Sequence, residues 1–211
     1  MQDPGPKIAE TSENGVRGPG RPRSEHSHQA IIGATNELLA ERGFADLTMD
    51  EIADRAGVSK ATIYRRWPSK GTLVFEAFAA DFLARQTAPD TGSLKRDLTA
   101  RLLEWMRAVN GTVTGRTLKS LLAEAQRDED LAVIWRDHFI RPVREESKLL
   151  VKRAVERGEI SQRTDPDVLL DLVYGPMYHR LLQGHLPLND RFVQAVVSSV
   201  LSGIQPGARV P

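Results

Sequence analysis

Ile31, Ala34, Leu38 and Leu39 recur at the spacing of a helix buried along one side, and the pattern predicts a first helix over about 27–42. Gly43 ends that run, and Phe44 is placed to fold back onto it. Thr48 with Glu51 three positions on forms a capping-box pair, which opens a short helix over about 49–56. A fourth helix is expected over about 69–86, with Phe75, Phe78 and Phe82 on its inner side, followed by a loop carrying Pro89, Asp90, Gly92 and Ser93. Helical spacing returns in Leu98, Leu102, Trp105, Met106 and Val109, and again in Leu118, Leu121, Leu122 and Ala125. The segment 129–158 contains Pro142, whose missing amide should kink or divide it. Asp165 and Pro166 suit the cap and first turn of the next helix. No segment alternates as a strand does, so the fold class is all-α.

The last two helices carry more apolar surface than one core-facing stripe needs. One holds Val168, Leu169, Leu170, Leu172, Val173, Met177, Tyr178, Leu181 and Leu182; the other holds Phe192, Val193, Val196, Val197, Val200, Leu201 and Ile204. Two readings are open: a homodimer formed through these helices, which is the expectation adopted, or two central helices of a monomer.

Residues 48–67, TMDEIADRAGVSKATIYRRW, form the strongest local signal. Two helices that cross closely need a small residue on the inner side of the first and a turn residue tolerant of positive φ. Ala53 and Gly57 stand in those places, Ile52, Val58 and Ile63 supply the apolar contacts, and Ser59 can cap a second helix over about 60–67. That second helix is the element that would enter a major groove. The stretch from Arg55 to Phe75 contains no acid, and Arg55, Lys60, Arg65, Arg66 and Lys70 read there as a surface for phosphates. Tyr64 can donate to a phosphate, Lys70 can join the free amides opening the fourth helix, Lys60 and Thr62 face base edges, and Ala61 is small enough for close approach. Trp67 is expected in the core against the first helix.

Composition narrows the class. The 211 residues are 40% apolar with a formal charge of +1, so the chain can bury a core, and the placement of its charges matters more than their sum. Cysteine is absent, which removes thiol chemistry and suits a reducing compartment. The N-terminal residues lack the apolar run of an export signal, and the apolar runs elsewhere are too short for a membrane span; a cytoplasmic location is expected. The expected organisation is a disordered basic tail at 1–24, a helix-turn-helix domain at 25–70, a helical ligand-binding and dimerisation domain at 71–205, and a tail at 206–211. Gly20, Arg21, Pro22 and Arg23 admit two readings, an extended hook whose arginines enter a minor groove or a solubilising leader.

The sequence resembles the TetR family of bacterial transcription regulators. The resemblance is carried by ERGF at 41–44 and LTMDEIADRAGVSKATIYRRWPSK at 47–70, and is specific over about 30–74. It implies an all-helical homodimer, three N-terminal helices that bind double-stranded DNA, and a divergent C-terminal domain with an effector pocket. Carried over by position, it implies backbone contacts by Thr48, Ser59, Tyr64 and Lys70, and groove contacts by Lys60, Ala61, Thr62 and Arg65. Repression is the usual outcome in such proteins. Three positions depart from the common pattern: Ala61 where glycine is frequent, Arg65–Trp67 where aromatic residues and histidine cluster, and Gly71 where an acid is frequent.

For the effector domain, Trp105, Met106, Trp135, Phe139, Tyr174, Met177 and Tyr178 are expected either to surround one cavity for a small, largely apolar effector or to be ordinary core. Gly175 and Pro176 are expected to interrupt their helix beside it, with His138 and His179 as polar anchors or surface residues. A regulator without a small effector, controlled by a partner protein or by abundance, is the alternative. The sequence contains no phosphate-binding glycine loop, cysteine nucleophile or zinc-type histidine pair, so no enzymatic activity, metal or cofactor is expected.

Overall fold

The computed structural model describes residues 21–84 and 88–204. Its helices are α1 (Arg21–Asp46), α2 (Met49–Ala56), α3 (Lys60–Tyr64), α4 (Lys70–Ala84), α5 (Leu94–Val109), α6 (Val113–Glu124), α7 (Glu129–Trp135), α8 (Arg141–Glu156), α9 (Pro166–Gln183) and α10 (Asp190–Ile204), with a single π turn (Arg136–Ile140) between α7 and α8. No strand occurs among the described residues.

The start of α1, the division near Pro142 and the break at Gly175 and Pro176 each differ from the expectation. α1 begins at Arg21, earlier than about residue 27. Pro22 suits a first turn, where an amide has no acceptor within the helix. Residues 1–20 and 206–211, which hold most of the predicted tails, lie outside the described residues. The division expected from Pro142 occurs just before it, at the π turn, and Pro142 occupies the first turn of α8. α9, by contrast, runs through Gly175 and Pro176 without a break and ends at Gly184. The interruption expected there is corrected: one missing amide frees one carbonyl, and packing on α8 and α10 keeps the remaining turns helical.

Both predicted domains share one continuous apolar cluster that extends from Ile31 and Leu38 through Leu73, Phe78 and Leu102 to Val173 and Val197. α1 packs on α2, α4 and α6, while α5 packs on α6, α8 and α10. α4 is common to both halves because one side of it meets α1 and another meets α6 and α7. The fully buried Asp97 accepts from the Thr91 amide at 2.8 Å and hydroxyl at 2.6 Å, and the Leu94 amide donates to Glu159 at 2.7 Å. These bonds fasten the start of α5 to the loop before it and to the end of α8.

Candidate nucleic-acid interface

α2 and α3 cross where Ala53 is small enough to admit them, with Ile52 and Ile63 both fully buried. Gly57 takes φ 65°, ψ 33°, the left-handed conformation that a side chain disfavours, and its amide donates to the last carbonyls of α2. Both helices start on side-chain caps. Thr48 accepts from the Glu51 amide at 3.2 Å, and the Glu51 carboxylate accepts in return from the Thr48 amide. Ser59 accepts from the Thr62 amide at 3.3 Å, and the two hydroxyls lie 2.9 Å apart. α3 stops at Tyr64, short of the predicted 67, so Arg65 and Arg66 lie in a turn. Trp67 is core, as expected: it is 3% exposed, stacks on His28 with centroids 5.6 Å apart, and donates to Glu76 at 2.7 Å.

The acid-free stretch does not form a uniformly free basic surface, because other elements supply acids to it. Arg55 donates to both carboxylate oxygens of Glu41 at 3.0 Å and to Glu37 at 3.2 Å. That pairing holds the Glu41 carboxyl below its usual range and raises the guanidinium further. Lys60 pairs with Asp50 at 2.6 Å, which raises its ammonium pKa. Arg66 lies 3.7 Å from Glu76 and over the Trp67 ring. Lys70 turns away from the predicted helix-end site and donates to the carbonyls of Phe44 at 2.8 Å and Ala45 at 3.3 Å, capping the end of α1. Arg65 alone of these five makes no such bond among the described residues, and it lines a surface cleft of about 520 Å³ with Thr62, Arg66, His28 and Ser27. Exposed beside it on α3 are Lys60, Ala61 and Tyr64, the last 51% exposed.

This cap, glycine turn and exposed short helix coincide with a family model. Residues 31–77 match the N-terminal model described as bacterial regulatory proteins, tetR family, and residues 88–200 match a tetracyclin repressor-like C-terminal domain. The chain belongs to the TetR family.

Relatives of this TetR-family regulator match it along most of their length. The uncharacterized HTH-type transcriptional regulator YdeS of Bacillus subtilis is 38% identical over 88% of this chain and 93% of its own. The DNA-binding transcriptional repressor TetR of Mycobacteroides abscessus is 32% identical over 89% of this chain and 98% of its own. Among solved structures, the TetR family transcription regulator SCO0332 superposes with a TM-score of 0.74 at 36% identity, covering 86% of this chain and 100% of that one. The protein is accordingly a helix-turn-helix transcriptional regulator, not an enzyme.

In this regulator the hook expected at Gly20–Arg23 is not extended where it is described: Arg21 to Arg23 form the first turn of α1, and Gly20 lies outside the described residues. Four of the seven expected pocket residues pack in two separate ring groups. Trp135 and Phe139 lie 4.5 Å apart and meet Phe78, while Trp105 meets Tyr178 at 5.0 Å. Trp105, Met106, Trp135, Phe139 and Met177 are buried, and Tyr174 approaches Ser147 at 3.4 Å. Burial pushes the Tyr178 phenol above its ordinary range. His138 and His179 are exposed. The surface clefts lined by Asn110 and Arg116, by Asn36 and Val113, and by Glu76 and His138 draw on none of the seven.

The sequence reading missed the acids that restrain the basic residues. It also missed a packing role for Gly71, where a Cβ would come within 2.8 Å of Leu131 Cδ2 on α7. That glycine lets α7 approach the start of α4. No signal in the linear sequence marks the contact.

Proposed function

We propose that this regulator is a cytoplasmic repressor that binds a palindromic operator as a homodimer and leaves it when a small effector binds. The observation that carries the reading is Arg65, a cation without an ion pair among the described residues, exposed beside Ala61 and Tyr64 at the end of α3. On this reading Lys60, Ala61, Thr62 and Arg65 meet the groove, and Thr48, Ser59 and Tyr64 meet the backbone. Lys60 has to leave Asp50 to do so. The repressor named TetR of Mycobacteroides abscessus, at 32% identity, supports repression. No helix among the described residues is long and apolar enough to cross a membrane.

Dimerisation through α9 and α10 is supported by Val168, Leu172 and Leu182, which recur along α9 at helical spacing and are 54%, 49% and 49% exposed. An apolar stripe left open on a helix is commonly covered in the assembled protein.

Selection of bound sequences from random duplexes, followed by titration at two salt concentrations with the wild type and Arg65→Ala, tests the reading. A palindromic site is expected, with base preference reduced in the variant by about 1–3 kcal/mol. Enrichment of no sequence would overturn it. A second reading, control by a partner protein or by abundance, is favoured by the ring packing of Trp135 with Phe139 and of Trp105 with Tyr178, which leaves the expected apolar pocket filled. Tryptophan emission that stays unchanged across a panel of apolar compounds would support it.

A further inference from the structure

Several arginines from α5 to α8 are neutralised: Arg107 by Asp190, Arg127 by Glu124, Arg136 by Glu129, Arg141 by Asp137, and Arg144 by Asp167 and Asp171. Arg116 and Lys119 are not. They stand three residues apart on one face of α6, both exposed, and make no ion pair among the described residues. Both line a cleft of about 580 Å³ that also receives Arg180 from α9 and His185 from the loop after it. No aspartate or glutamate lines this cleft. Its remaining wall is partly apolar, with Leu181, Leu186 and Pro187. Like charges gathered without a counter-charge repel one another, so an anion in the cleft relieves a cost already present in the empty protein.

The rim is held in place before any ligand arrives. Asn110 donates its side-chain amide to the Leu188 carbonyl at 2.9 Å, and Arg180 donates to the Pro187 carbonyl at 2.6 Å while lying over the Phe192 ring. The first bond joins the α5–α6 loop to the α9–α10 loop, and the contacts of Arg180 fasten that second loop and α10 to α9, so the two sides of the cleft are tied to each other. The volume falls within the several hundred Å³ usual for small-molecule sites.

We propose that this cleft binds a small amphipathic organic anion, a carboxylate or phosphate head with an apolar chain or ring, and that α6 passes its occupancy to the DNA-binding half. The inference rests on the effector-controlled reading and gives the effector a location other than the aromatic core. The head group meets Arg116 and Lys119, and the apolar part lies on Leu181, Leu186 and Pro187. The route is short: Val113, Thr114 and Thr117 of α6 face Asn36, Leu39 and Ala40 of α1 across one further cleft. Drawing Arg116 and Lys119 toward an anion turns the helix whose first turns rest against α1, and α1 packs on α2, which in turn carries α3.

The test uses the full chain, calorimetric titration, and two probes that separate the head groups, decanoate and decyl phosphate, with decanol and inorganic phosphate as controls. At least one probe should bind saturably, at least tenfold tighter than either control. The double variant Arg116→Gln, Lys119→Gln should bind that probe at least tenfold more weakly, with an unchanged circular-dichroism melt. Lys95→Gln, which removes an unpaired surface lysine elsewhere, should bind as the wild type does. Absence of saturable binding by both probes, or equal affinity in the double variant, overturns the site. Inorganic phosphate binding as tightly as decyl phosphate overturns the apolar half of the ligand. Operator release is measured separately: binding without release upholds the site and refutes effector control through it.

Discussion

The indole of Trp67 donates to the carboxylate of Glu76 at 2.7 Å, and this bond ties the end of the DNA-reading segment to α4. The same carboxylate lies 3.3 Å from His28 on α1 and 3.7 Å from Arg66. Three elements therefore share one acid at the joint between the two halves. Glu76→Ala leaves a buried indole N–H without its acceptor and should lower the unfolding free energy by about 1–3 kcal/mol in urea titrations. Glu76→Gln, whose amide oxygen can still accept, should lose less than half as much. Equal losses would show that charge, not the indole bond, holds the joint.

Lys60 is held by Asp50 at 2.6 Å in the free protein, so DNA competes with an internal partner for it. Asp50→Asn removes both that competition and a negative charge beside the groove-facing helix. Affinity for the selected site at low salt should rise by about three- to tenfold, and the slope of log affinity on log salt should steepen by about one. An unchanged slope would mean that Lys60 does not reach a phosphate or a base edge in the complex.

Two glycines separate a rigid obstacle from a yielding one. A Cβ on Gly115 would stand 1.7 Å from the Val109 carbonyl oxygen, whereas one on Gly71 would meet the end of the Leu131 side chain at 2.8 Å. Gly115→Ala should destabilise by at least about 3 kcal/mol, because backbone has to move. Gly71→Ala should fall within about 1 kcal/mol of the wild type, since a small shift of Leu131 is offset by the better helix propensity of alanine. Thermal or urea unfolding of the pair decides it. A severe loss in Gly71→Ala would mean that Leu131 cannot yield.

Leu172 is 49% exposed at the centre of the apolar stripe on α9. Leu172→Glu places a charge where the proposed partner subunit packs and should weaken dimerisation by about 30-fold or more, as loss of an interface hot spot does. Sedimentation across a concentration series reads this directly, and operator affinity should fall in parallel. A variant that remains dimeric at the same concentrations would place the interface elsewhere.

Periodicity, caps and turn residues carried most of the fold in the linear sequence. The Thr48 and Glu51 capping box, the small Ala53, the left-handed Gly57 and the Ser59 cap act within a few residues of chain, so their geometry follows from local chemistry alone. The buried stripe of Ile31, Ala34, Leu38 and Leu39 was legible for the same reason, as was the burial of Trp67. The fate of each charge was not. Arg55 meets Glu37 and Glu41 from α1, Lys60 meets Asp50 from α2, and Lys70 turns to the end of α1, so a basic run in sequence became a surface in which Arg65 alone of the five stays free. The cleft of Arg116 and Lys119 is likewise tertiary, since half of its wall comes from residues some seventy positions away. Local bonding fixes where helices start and stop. Which charges stay unpaired depends on which helices the hydrophobic core brings side by side, and short-range patterns in the chain do not encode that.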